Sequence, residues 1–167
     1  MFYELLRKEM KKADRAKLPM AILFVDLDRF KEVNDTMGHD KGDLLLKQVA
    51  ERLTASMRGT DLVARLGGDE FIALLGELRN PADVTRTARE ILKQMSTPFD
   101  LDGDGAHVAE ISSSIGIALY PQDGKDVETL MKSADQAMYG AKESGRNRLQ
   151  HYASVDNVLD IHKDRCE

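Results

Sequence analysis

Residues 61–75 read DLVARLGGDEFIALL, two apolar runs joined by a glycine pair. Apolar runs that meet at two glycines are a strong signal for a tight hairpin with a primed turn, whose twist matches the flanking strands. With Gly67-Gly68 as a two-residue turn, Leu66 opposes Asp69 and Arg65 opposes Glu70. Glu70 then has a purely structural explanation as the partner of Arg65, whereas Asp69 has no partner nearby in sequence. A glycine pair also bares the backbone so that a phosphate or a metal can come close. The pair alone does not choose between turn and site.

Upstream, LPMAILFVDLDRF (18–30) contains a continuous apolar run, Ala21 to Val25, as in a strand buried on both faces. The run ends in Asp26 and Asp28, which period-two alternation puts on one side. Such acids usually cap a loop, and together with Asp69 they become candidates for metal chemistry. From Leu46, apolar residues at 46, 49, 50, 53 and 57 form a helical stripe. Asn80-Pro81 reads as a cap and a first-turn proline, followed by the stripe Val84, Ala88, Ile91 and Met95. Residues 98–121 read as a second strand pair, with Ile111, Ile115, Ile117 and Leu119 on one face. Leu130, Ala134, Ala137 and Ala141 mark a last helix that Gly145 stops, and RLQHY (148–152) closes as a strand. Hairpins mixed with helical crossovers predict an α+β fold with a sheet covered mainly on one face.

The chain has 167 residues, enough for one domain with a sizeable core. A formal net charge of −5 argues against a general nucleic-acid coat or a basic membrane-surface module. The single cysteine, Cys166, excludes a disulfide framework and a cysteine-cluster metal site. No apolar run approaches the roughly 18 residues of a membrane span, and no signal-peptide pattern is present. The expected compartment is the cytoplasm, as a free protein or as the cytoplasmic part of a membrane-anchored one.

Two or three carboxylates that leave room for water and substrate phosphate are the usual way to hold Mg²⁺. His39 and Asp43 share a face if a helix starts near Gly38. Asn34 and Asp43 can read a guanine edge, since a carboxylate accepts from N1 and N2 and an amide donates to the acceptors; capping and surface solvation are the plain alternative. Lys142 and Arg146, four apart at the last helix's end, either complement the helix dipole or clamp a triphosphate. Asp100, Asp102, Asp104 and Gly105 match half a calcium loop, but Ile111 stands where the bidentate acid belongs, so the stretch reads as a hairpin turn. No P-loop, nucleophile elbow or H-E-x-x-H pattern occurs.

Four ordered blocks give the sequence a specific resemblance: FVDLDRFKEVNDTMGHDKGD (24–43), RGTDLVARLGGDEF (58–71), SSSIGIALYP (112–121) and ADQAMYGAKESGRNR (134–148). They resemble the GGDEF family, the diguanylate cyclases, from about Pro19 to Tyr152. The resemblance implies a palm-like α+β domain, its central, mainly antiparallel sheet surrounded by helices, related to nucleotide cyclase catalytic domains. Residues 1–18 then form an N-terminal helix or linker, 19–152 the domain and 153–167 a polar tail or linker. It further implies Mg²⁺, with Mn²⁺ as the substitute, on Asp26, the Leu27 carbonyl and Asp69, with Glu70 in support. Asp69 helps deprotonate a 3′-hydroxyl, and Lys31 stabilises the transferring phosphoryl group. Asn34, His39, Asp43, Gly67, Gly68, Lys142 and Arg146 match substrate positions. Arg58 and Asp61, in RGTD, and Arg89 match a product-inhibition site for cyclic di-GMP. The implied reaction condenses two GTP into cyclic di-GMP and two pyrophosphates across a homodimer, with no nucleic-acid polymer as partner. The alternative is a catalytically weak module that binds GTP or cyclic di-GMP as a sensor. The segment before the first strand lacks the family's usual acidic-x-Leu-Thr and Asn-Arg pattern, and the chain is expected to be fused to regulatory domains.

Overall fold

The computed structural model describes residues 1–153; the tail assigned to 153–167 lies, after Ala153, outside the described residues. The helices are α1 (Phe2–Ala16), α2 (Phe30–Met37), α3 (His39–Ala55), α4 (Ala82–Ser96) and α5 (Val127–Glu143). The strands are β1 (Met20–Asp28), β2 (Leu62–Gly67), β3 (Glu70–Leu75), β4 (Phe99–Asp100), β5 (Val108–Ala109), β6 (Ser112–Tyr120) and β7 (Arg148–His151). Five strands form one sheet in the order β2-β3-β1-β6-β7, antiparallel except where β7 runs parallel to β6.

All nine residues of β1 are buried, as its apolar run requires of a central strand. Alternation sends its residues into two cores. Ala21, Leu23, Val25 and Leu27 pack with Leu45, Val49 and Leu53 of α3 and with Val84, Ala88, Ile91 and Met95 of α4. Met20, Ile22 and Phe24 pack with Leu6, Met10 and Ala13 of α1 and with Leu130, Ala134 and Met138 of α5. The expectation of a sheet covered mainly on one face is therefore corrected: helices cover both. The physical reason lies in α5, which packs on β6 and β1 across the sheet from α3 and α4, with the apolar stripe of α1 joining it in the same core. Ile111, Ile115, Ile117 and Leu119 do share one face, that of α3 and α4.

The second strand pair is also corrected. β4 and β5 form a separate two-stranded hairpin, and β6 pairs with β1 instead. Between β4 and β5 the Asp100 carboxylate accepts from the Gly103 and Gly105 amides, so it closes its own turn. Lys41 and His107 both pair with Asp102, which ties the turn to α3.

Arg52 of α3 joins three elements. Its guanidinium donates to the carbonyls of Gln94 (2.7 Å), Thr97 (2.7 Å) and Pro98 (2.8 Å) and lies 3.5 Å over the Phe99 ring. It satisfies carbonyls that the end of α4 leaves unpaired. Lysine lacks the planar fork, so Arg52→Lys is expected to cost about 2 kcal/mol, read as a lower midpoint in urea unfolding with an unchanged slope.

Candidate active site

The face that packs on α5 changes character along β1 without changing its alternation. The side chains run Met20, Ile22, Phe24 and then Asp26 and Asp28, both 3% exposed. On β6 the opposing row ends in Ser114 and Ser112, and on β3 it ends in Glu70. One end of the sheet is thus polar on a face that is apolar elsewhere. Helix α5 lies close enough to serve that end because Gly116 has no side chain: a Cβ there would stand 2.1 Å from the Ala134 carbonyl oxygen.

The glycine hairpin meets this polar end. Gly67 opposes Glu70, Arg65 opposes Phe71, and the register shifts between Arg65 and Gly67. The turn is therefore Gly68-Asp69, not Gly67-Gly68, and Arg65 is not the partner of Glu70. Burial of Phe71 and Ala73 on one face of β3 and of Ile72 and Leu74 on the other fixes that strand's register. Exposed β2 absorbs the mismatch as a bulge at Leu66. Gly67 (φ 149°) and Gly68 (φ 50°) adopt backbone conformations that side chains disfavour, and no atom lies within 4 Å of a Cβ at either. The Leu27 amide donates to the Asp69 carbonyl at 3.1 Å, so the turn is fastened to the end of β1. The Arg65 Nε donates to the Gly68 carbonyl at 3.0 Å.

The two acids of β1 have different surroundings. Asp26 Oδ2 pairs with Lys142 Nζ at 2.5 Å, while the buried Oδ1 has no partner. Glu70 stands directly opposite Asp26. Burial pushes the Asp26 carboxyl up to about 6; the charges of Asp69 and Glu70 add to the effect and Lys142 opposes it. Burial also raises Glu70, with Asp135 and Asp69 contributing. Asp28, in contrast, is fully hydrogen-bonded: it accepts from Ser112 Oγ (2.6 Å), Ser114 Oγ (2.8 Å) and the Asn147 amide (3.1 Å).

A cleft of about 810 Å³ opens over this end, lined by Leu27, Lys31, Asp69, Lys142 and Arg146 among others. Arg146 lies beyond α5, past Gly145, in a left-handed conformation (φ 62°), so it does not share a helix face with Lys142. His39 is exposed at the first position of α3. Asp43 lines a different concavity, of about 420 Å³, with Arg65 and Phe71. Asn34 lies across α3 at Gly42, where a Cβ would stand 1.7 Å from its Oδ1. Asp61 is folded back onto Arg58, which reaches it from its amide (3.0 Å) and Nη2 (3.2 Å) and also donates to the Gly76 carbonyl (2.8 Å). Arg89 lines a separate concavity on α4 with Arg86 and Lys93.

The donors fit a hard divalent cation. An unpartnered buried carboxylate oxygen, a second acid directly opposite and a third in the adjoining turn make an electrostatically unbalanced set that such a cation would complete. Among the described residues no three acidic or imidazole groups already converge on one point. Phosphate oxygens and water would therefore supply part of the coordination. Sequence reasoning passed over the separate role of Asp28; its signal was the Ser112 and Ser114 pair on the facing strand.

The family model for the diguanylate cyclase GGDEF domain matches residues 1–148. The chain is 50% identical over 153 residues to the bifunctional diguanylate cyclase/cyclic di-GMP phosphodiesterase MucR of Pseudomonas aeruginosa, covering 92% of this chain and 22% of that protein. It is 45% identical to the diguanylate cyclase TpbB of the same organism, covering 84% of this chain and 32% of that one. The crystal structure of the TpbB GGDEF domain superimposes with a TM-score of 0.85 at 41% identity, covering 90% of this chain and 92% of that one. The GGDEF domain of DgcB from Caulobacter crescentus, in complex with cyclic di-GMP, gives 0.82 at 27% identity, covering 91% and 88%. The chain belongs to the GGDEF family of diguanylate cyclase domains. It spans about a fifth to a third of the length of these two full-length relatives. No helix among the described residues is long and apolar enough to cross a membrane.

The Asp26 environment gives a pH dependence of known sign. Its carboxyl leaves an ordinary value of 3.8 for about 6 on folding, so the folded chain takes up a proton between these values. The associated stability is complete below the lower value and is lost as the pH rises through the higher. In cation-free buffer, the stability of Asp26→Asn relative to wild type should increase from pH 4 to pH 6.5. Parallel urea titrations across that range check it; a flat difference would mean that Asp26 titrates normally.

Proposed function

We propose that this domain condenses two GTP molecules into cyclic di-GMP with release of two pyrophosphates, two copies of the domain facing each other with one GTP apiece. The observation that carries the reading is the unpartnered buried oxygen of Asp26 beside a turn acid, Asp69, which a backbone hydrogen bond fastens to Leu27. Lys31, Lys142 and Arg146 line the cleft above them, where a triphosphate's negative charge requires cations.

In each half-reaction the 3′-oxygen of one GTP forms a bond to the α-phosphorus of the other. The bond from that phosphorus to the bridging oxygen breaks, and pyrophosphate leaves with the electron pair. Asp69 accepts the hydroxyl proton on its carboxylate. Lys31 offsets charge on the transferring phosphoryl group, and Lys142 and Arg146 hold the phosphate chain. Asp26, the Leu27 carbonyl and Asp69, supported by Glu70, would hold Mg²⁺ or Mn²⁺, which supplies charge neutralisation at the phosphates. The bare turn at Gly67 and Gly68 admits the nucleotide. Asn34, seated over Gly42, and Asp43 read the guanine edge, with His39 beside them. Most of the rate advantage comes from alignment of two bound nucleotides.

Arg58, Asp61 and Arg89 form a product-binding surface in this reading. Arg58 already spends one side of its guanidinium on Asp61 and the Gly76 carbonyl, and the remaining donors are free to grip guanine or phosphate. Fusion to regulatory domains would couple a signal to the meeting of two copies.

Asp69→Asn removes both a metal ligand and the proton acceptor at a solvent-facing turn. Incubation with GTP and Mg²⁺ followed by chromatography should show cyclic di-GMP from wild type and at least a thousandfold less from the variant, with an unchanged thermal midpoint. Retained turnover would reject the assignment. Separately, Arg58→Ala should weaken cyclic di-GMP binding by about one to two decades, the worth of a charged hydrogen bond, while the initial rate persists. Calorimetry and early progress curves read the two quantities. A common collapse of both would make the RGTD segment a structural brace.

A further inference from the structure

Asp28 has no place in the chemistry above, although it lies two residues from Asp26 and is equally buried. Its carboxylate makes no ion pair among the described residues, and every bond it accepts comes from a neutral donor. Two of those donors, Ser112 and Ser114, sit on the neighbouring strand β6. The third is the amide of Asn147, 119 positions away, in the segment that joins α5 to β7.

That segment has an unusual backbone. Gly145 (φ 123°), Arg146 (φ 62°) and Asn147 (φ 47°) occupy positive φ in succession. Left-handed conformations disfavour residues with a side chain, so two in a row need contacts that hold them. On the helix side, the Arg146 amide bonds to the Ala141 carbonyl (3.0 Å) and the Gly145 amide to the Lys142 carbonyl (3.3 Å). On the strand side, the Asn147 amide bonds to Asp28. These contacts bracket Arg146 and leave its side chain exposed at the cleft mouth.

We propose that Asp28 is a positioning residue for phosphate recognition: by binding the Asn147 amide it holds the left-handed turn that presents Arg146 to the triphosphate. The two acids of the DLD stretch thus divide their work, Asp26 facing the reacting groups and Asp28 bracing the turn that carries Arg146 at the cleft. The inference rests on the reading of Arg146 as a phosphate contact.

The replacement Asp28→Leu keeps the size of the side chain and removes both acceptors, whereas Asp28→Asn keeps the shape and one carbonyl acceptor. Oδ1 faces the Ser114 hydroxyl, and Oδ2 faces both the Ser112 hydroxyl and the Asn147 amide. A hydroxyl can turn to accept from an amide group, whereas the Asn147 N–H can only donate, so Asp28→Asn can set its NH2 on Ser114 and its carbonyl on Asn147 and keep the bond that Asp28→Leu loses. The probes are the α,β-methylene analogue of GTP, which does not react, and guanosine, which lacks phosphate. Titration of each into the Mg²⁺-loaded domain should show about tenfold weaker analogue binding for Asp28→Leu with guanosine binding within twofold of wild type, and Asp28→Asn should bind both as wild type does. Arg146→Ala should lose a similar factor, and the double variant should lose no more than the greater single loss. Ser114→Ala, which removes a bond on the other oxygen, should bind the analogue as wild type does.

Amide hydrogen exchange gives a readout independent of binding. Asn147 should be protected in wild type and exchange at least tenfold faster in Asp28→Leu. Equal loss of guanosine and analogue binding would reduce Asp28 to a general structural role and overturn the proposal. So would additive losses in the double variant, or a loss in Arg146→Ala with none in Asp28→Leu. If Arg146→Ala binds the analogue normally, the phosphate reading of Arg146 fails and the proposal with it. Should Asp28→Leu fail to fold, an unprotected Asn147 amide in wild type would still overturn it.

Discussion

The hydrogen bond from the Leu27 amide to the Asp69 carbonyl joins the end of the central strand to the tip of a hairpin, and the site depends on that junction. Without it the turn would be an exposed loop of glycines and acids. With it, two acids far apart in sequence stand at one end of a sheet whose central strand is buried along its whole length. The rest of β1 supplies the rigidity: nine buried residues, paired on both sides, fix where Asp26 and Asp28 can be.

The electrostatics follow from this placement. Asp26 and Glu70 occupy directly opposing positions, an arrangement that costs energy when both are charged. Lys142 relieves part of that cost, and its reach depends on the close contact of α5 with β6 at Gly116. A cation bound at Asp26 and Asp69 would relieve more. The elevated Asp26 carboxyl follows from burial first and from the neighbouring charges of Asp69 and Glu70 second, with Lys142 opposing them. Asp28 shows the opposite solution to burial, a carboxylate satisfied entirely by neutral donors.

Much of the fold was legible because burial imposes periodicity. The stripe Val84, Ala88, Ile91 and Met95, the apolar run of β1 and the small-residue stripe of α5 are direct records of what each element packs against. The glycine pair marked a hairpin for the same reason: the turn's backbone angles exclude most other residues. The family blocks gathered the same residues into one expected site.

What the sequence by itself determined was the identity of the elements and the list of chemical groups, since propensity, alternation and charge are local properties. Tertiary structure alone decided which groups meet. The hairpin register moved by a bulge because β3 is gripped on both faces while β2 is not, and this took Arg65 away from Glu70, while the pairing of β3 with β1 set Glu70 against Asp26. The coverage of the second sheet face depended on where α5 docks, with α1 beside it, and the strands after α4 separated because β1 offered β6 a longer partner than β5 could. The bond between Asp28 and Asn147 spans most of the chain, and no local pattern encodes a contact whose two ends are brought together only by the folding of everything between them.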